Sequence, residues 1–112
     1  MCDAKHWLEG YIPMGIRAEA FREEAEANYY GSFRKQEAAQ LLLANAAQID
    51  RERETIRNAI SGIVDSVARA VLWLRYIDGL QWPEICEKIG YETTQTYKYH
   101  RRGLGEIENN YS

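Results

Sequence analysis

Little in this 112-residue sequence could cross-link the chain, span a membrane or build a sheet. Its two cysteines, Cys2 and Cys86, are too few and too far apart for a disulfide scaffold. No apolar run approaches the roughly 20 residues that a transmembrane helix needs. The opening MCDAKHWLEG has no secretory apolar stretch either, so a cytoplasmic location without membrane association is expected. Alternation of β-branched and polar residues is also absent, which excludes a sheet and predicts an all-α fold. Nor is there a Ser, His and Asp grouping, a phosphate-cradling glycine loop or a metal-ligand spacing. His6 and His100 stand alone, and the cysteines cluster with neither. The reading is a protein that is not an enzyme and has no cofactor, metal or catalytic residues.

What is present is an ordinary globular composition, with 46% hydrophobic and 28% charged residues, which argues against disorder. Its length allows one domain, or a small domain with a helical arm. The net charge of −3 hides an uneven distribution. Thr93 to Gly105 carries Lys98, Arg101 and Arg102 with no acid, so a polyanion would be met by this short segment and not by the molecule as a whole.

Along the chain, HWLEGYI reads as a helical turn and Pro13 as a break, since proline cannot donate its amide. RAEAFREEAEANYY, rich in Ala and Glu, is a strong helix former whose acidic run is a solvated face. Gly31 and Ser32 end it, and Ser32 can cap the next helix. From Phe33 onward, Leu42, Ile49, Ile56 and Ile63 recur every seven residues, accompanied by Ala46, Ile60 and Val67, with Arg53 interrupting. Such a seam predicts a long helix that pairs with the first one as an antiparallel hairpin, or pairs between chains to give a homo-oligomer. Gly62 weakens the helix, and Asp65 or Ser66 offers a new N-cap. Val67, Val71, Leu74 and Ile77 then mark one face of a helix that stops at Gly79. The resulting division is a helical arm or hairpin over residues 1–62 and a compact helical module over 63–112.

WPEICEKIG follows, with Pro83 in a first turn, Trp82, Ile85 and Ile89 on one side and Gly90 at the end. After the short connection YE comes TTQTYKYHRRGLGEI, whose inner side is Thr96, Tyr99, His100, Gly103, Leu104 and Ile107. Its outer side is Thr94, Gln95, Lys98, Arg101 and Arg102. Two short helices joined at a glycine, with amide, hydroxyl and cationic side chains on the outer face of the second, form a helix-turn-helix pattern. Bland roles are assigned beside this one: Trp82 to the core, Tyr91, Tyr97 and His100 to local packing, and Cys86 to a small buried position.

The segment LRYIDGLQWPEICEKIGYETTQTYKYHRRGLGEI resembles region 4 of bacterial sigma factors, and it looks like the small phage-encoded, sigma-like regulators of the ArpU type. The positions that carry the resemblance are Arg75, Tyr76, Gly79, Trp82, Glu84 and Ile85, then Tyr97, His100 and Leu104. It covers about the last 45 residues. The resemblance implies a three-helix module on double-stranded DNA, with the recognition helix starting near Glu92, or capped by Thr93. It further implies base reading by Thr93, Thr94, Gln95 and Lys98, phosphate contacts from Arg101 and Arg102, and RNA polymerase as a partner. The function expected on that basis is sequence-specific transcription regulation. Two rivals stand beside it: a protein-interaction module built on the heptad seam, and an accessory protein of phage DNA packaging or replication.

Overall fold

The computed structural model describes residues 3–111, so Cys2 lies outside the described residues. Their regular elements are all helical: α1 (Ala4–Glu9), α2 (Tyr11–Asn28), α3 (Phe33–Ser61), α4 (Ser66–Leu72), a π-helical turn (Trp73–Ile77), α5 (Trp82–Ile89) and α6 (Thr93–Tyr111). No strand occurs among the described residues, and none of their helices is long and apolar enough to cross a membrane.

Local chemistry sets most boundaries. The Asp3 side chain accepts the His6 amide at 3.2 Å and caps α1. Ser32 caps α3, its Oγ accepting from the Lys35 amide at 3.4 Å and its carbonyl from Gln36 at 2.9 Å. Asp65 caps α4, one carboxylate oxygen accepting the amides of Val67 and Ala68 at 3.0 Å each. The break expected at Pro13 falls instead at Gly10. Pro13 is the third residue of α2, in a first turn whose amides have no upstream carbonyl to bond, so its missing N–H disrupts nothing.

The helix after Asp65 also departs from expectation. Its fully buried residues are Ala68, Val71 and Leu72, joined by Tyr76 at 6% exposure, while Val67, Leu74 and Ile77 are only half-buried. At its end the backbone widens into a π turn, with the Asp78 amide bonding the Trp73 carbonyl five residues back at 3.1 Å. The wide turn holds Arg75 over the Trp82 ring, 4.9 Å from its centroid, and sets the Tyr76 hydroxyl against His100.

The chain falls into two compact units, one formed by the chain up to Ile12 with the chain from Thr55 onward, the other by Pro13–Glu54. In the first, Ala4, Leu8, Ile56, Ile60, Ile63, Ala68, Val71, Leu72, Ile85 and Ile107 are each at most 1% exposed and form one core. Here α1 packs on α6, with the Trp7 and Tyr111 rings 5.6 Å apart. A division at residue 62 therefore separates residues that pack together, because Leu8 and the last heptad isoleucines of α3 bury in the same core as α4 and α6.

The second unit has a different interior. Its buried hydrophobic residues are alanines: Ala18 and Ala25 on α2, Ala39 and Ala46 on α3. Arg22 is ion-paired with Asp50, and Gly15 lies against the Arg53 guanidinium, so α2 and α3 run in opposite directions side by side. Burying an alanine methyl contributes about 0.8 kcal/mol, against about 1.5–3 kcal/mol for a leucine or isoleucine side chain. The bulkier residues of this unit lie outside that seam: Ile16, Phe33 and Leu41 are 69%, 75% and 69% exposed.

Candidate nucleic-acid interface

The outward residues of α6 are placed by what fixes its inner side. α5 begins from the extended residue Gln81, with Pro83 in its first turn, and ends at Gly90 in the left-handed conformation (φ 76°). That conformation is accessible to glycine without a Cβ clash, and it turns the chain within two residues into α6. The Thr96 amide bonds the Glu92 carbonyl at 2.9 Å, so Glu92 holds the cap position through its backbone and the helix starts at Thr93.

Thr96, His100, Gly103 and Ile107 are buried, and Tyr99 and Leu104 half-buried, as the helical period requires. Two side-chain bonds tie this face down. Cys86 Sγ donates to Thr96 Oγ1 at 3.3 Å, linking α5 to α6, and the Tyr76 hydroxyl lies 2.6 Å from His100 Nε2. Trp82, expected in the core, is half-buried; its ring meets His100 and Tyr97 edge-on at 4.8 and 4.9 Å. It forms one wall of a cleft of about 670 Å³ also lined by Lys5, Glu9, Arg75 and Gln81. The local packing expected of the two tyrosines is present, Tyr97 on Trp82 and Tyr91 on Tyr99 at 5.4 Å.

The Tyr76–His100 pair has definite electrostatics. Burial, with a smaller contribution from Glu9, pushes the Tyr76 phenol up to about 12, so it stays protonated and donates to Nε2. Burial, followed by the positive charges of Lys5, Arg75 and Arg101, lowers His100 to about 4. The folded protein therefore holds a neutral imidazole where the unfolded chain, with an ordinary value near 6.5, takes up a proton. Stability from this group is complete at pH 7 and is lost as the pH falls from about 6.5 toward 4, by roughly 2–3 kcal/mol. Urea unfolding at pH 7 and pH 4.5 should register that loss, and His100→Gln should flatten the difference.

Thr94, Gln95, Lys98 and Arg101 are exposed on the outer side of α6, and Thr93 is exposed at its first turn, in line with the inner face. Arg102 is exposed too, but it is occupied: its guanidinium is 2.8 Å from Asp65 Oδ2 and 5.2 Å from the Tyr99 ring centroid. Asp65 thus caps α4 with one oxygen and holds α6 with the other, while Glu106 accepts the Val64 amide at 2.9 Å. Sequence reasoning found Asp65 as a cap and missed its second role, since Arg102 lies 37 residues away and no local pattern links them.

The pattern of a family described as "Protein of unknown function (DUF1492)" matches residues 25–108. No curated protein and no solved structure matches the chain.

Proposed function

We propose that this chain, which belongs to the DUF1492 family, is a DNA-binding transcriptional regulator that reads the major groove with α6. In this reading α4, α5 and α6 act as a sigma region 4-like helix-turn-helix module, and α2 with α3 as its helical arm. One observation carries the reading: the exposed face of α6 holds hydroxyl, amide and cationic side chains without an acid from Thr93 to Gly105, on a helix whose other face is anchored. An α-helix fits the major groove, amide and hydroxyl groups near its N-terminus meet base edges, and cations further along meet phosphates.

Thr93, Thr94 and Gln95 begin α6 and Lys98 lies one turn further on; the N-terminal end of a groove-bound helix is the part suited to base edges, which supports base reading by these residues. Phosphate contact falls to Lys98 and Arg101, because Arg102 is paired with Asp65. RNA polymerase is the protein partner in keeping with the sigma-like pattern, and a phage origin fits the same pattern.

The test is selection of bound sequences from random double-stranded DNA, with and without RNA polymerase. A recovered consensus supports the reading, and a protein indifferent to DNA under both conditions refutes it. On the selected site, Gln95→Ala is expected to relax preference at one base position at a loss of about 1–3 kcal/mol, read from competition binding against single-base variants.

A further inference from the structure

The cleft beside Trp82 has a volume of about 670 Å³, in the range of small-molecule sites. Three features that a plain helical core would not need meet there. The π turn supplies two of its walls, Arg75 and Tyr76, and such turns are rare and recur at functional sites. Gly79, left-handed at φ 73°, lets the backbone close against Ile12, whose Cδ1 would stand 2.9 Å from a Cβ at that position. The third feature is the buried pair of Tyr76 and His100, polar groups where apolar side chains would pack without a desolvation cost. Because Tyr76 donates to Nε2, the ring hydrogen of His100 sits on Nδ1. No described residue bonds Nδ1, and no side-chain nitrogen or oxygen among the described residues is buried without a partner, so this N–H reaches solvent, which His100 meets along the cleft.

We propose that this cleft binds a small aromatic anion, its flat ring against Trp82 and Tyr97 and its carboxylate or phosphate toward Lys5 and Arg75. The donors decide the charge. Lys5, Arg75 and the His100 N–H offer hydrogens, and Glu9 is the one acid among the lining residues. Lys5, Arg75 and Arg101 all act on the His100 ring as positive charges, and Glu9 acts on Tyr76. A ligand rich in acceptors is therefore favoured over a cation. Lys5 is exposed and in no ion pair with a described residue. Arg75 is already held, donating to the Leu80 carbonyl at 3.0 Å and lying over Trp82, so a ligand spends little to fix it. The Trp82 and Tyr97 rings brace each other at 4.9 Å and are half-buried, which leaves aromatic surface for a ring to pack on. Every lining residue belongs to the unit formed by the chain up to Ile12 and from Thr55 onward, and the inference is independent of DNA binding.

Nuclear magnetic resonance of the full chain tests it through the ring signals of its two histidines, with His6, which does not line the cleft, as the reference. The probes are indole-3-acetate, which carries a carboxylate, and adenosine monophosphate, which carries a phosphate; the tighter of the two identifies the anionic group. At least one should move the His100 signals along a saturable curve with a Kd of about 1 mM or tighter. Neutral indole and adenosine, and acetate and inorganic phosphate without a ring, should each bind at least about tenfold more weakly. Lys5→Glu should weaken the better probe about tenfold and Glu9→Gln should strengthen it about threefold. Both residues are exposed, so neither change disturbs the core. The proposal is overturned if neither probe binds below about 10 mM, if the ringless anions or the neutral rings bind as well as the probes, or if Lys5→Glu leaves binding unchanged. A response of His100 to duplex DNA and to neither probe makes the cleft part of a nucleic-acid surface and overturns it as well.

Discussion

Replacing Lys98 and Arg101 together by alanine is expected to remove nearly all of the salt dependence of DNA binding and to weaken binding to every sequence alike. Each phosphate neutralised contributes about −0.9 to the slope of log affinity against log salt. With Arg102 held at 2.8 Å by Asp65, two contacts remain, and the wild-type slope should be about −1.8. Affinity should then fall about tenfold between 50 and 200 mM salt. Asp65→Asn sharpens the test: asparagine caps a helix as well as aspartate does, but it leaves Arg102 without its ion pair. The freed guanidinium should steepen the slope by about 0.9, to about −2.7, and raise affinity at low salt. A slope of −2.7 in the wild type would show that DNA takes Arg102 from Asp65, and a slope near zero would remove phosphate contact from α6 altogether. Fluorescence anisotropy titrations across a salt series provide both readings.

The second large effect concerns the seat of α6. Gly103 faces Leu72 across the α4–α6 contact, and a Cβ at that position would come within 2.7 Å of Leu72 Cδ1 and 3.1 Å of Cδ2. Leu72 is completely buried, so its methyls have little room to retreat. Gly103→Val adds two further methyl groups to the same space and should destabilise the protein by about 3 kcal/mol or more, with part of α6 displaced from its bed. Two residues on, a Cβ at Gly105 would meet no atom within 4 Å. Gly105→Ala should therefore stabilise by about 0.5–1 kcal/mol, the ordinary gain from replacing a helical glycine. Thermal and urea unfolding of the pair should move in opposite directions. If Gly103→Val unfolds like the wild type, the close approach of α6 to α4 is not what holds α6 in its bed.

Several elements were legible in the sequence because their causes are local. Ser32 and Asp65 announced helix starts, since a short oxygen-bearing side chain beside an unpaired amide satisfies it within three residues. Gly90 announced a stop for the converse reason, that the left-handed turn excludes a Cβ. The sorting of α6 into a buried face and an exposed one followed from the 3.6-residue period alone. Pro13 misled because its effect depends on where the helix begins: a proline in a first turn is harmless, and only the break at Gly10 made it so. The phase of the helix after Asp65 was misread because surrounding helices enclose it, so apolar spacing no longer marks a single face.

By itself, the sequence determined that this protein is helical, that helix boundaries fall at Ser32, Asp65 and Gly90, and which residues of α6 point outward, since each follows from neighbours within a turn or two of the chain. Only the tertiary structure decided that Ala4 and Leu8 belong with the C-terminal helices, that Arg102 is bound to Asp65, that His100 is held neutral by Tyr76 and burial, and that the arm buries alanines while leaving Phe21, Leu42 and Ile49 half-covered. Those outcomes depend on contacts between residues tens of positions apart, which no local period or propensity encodes.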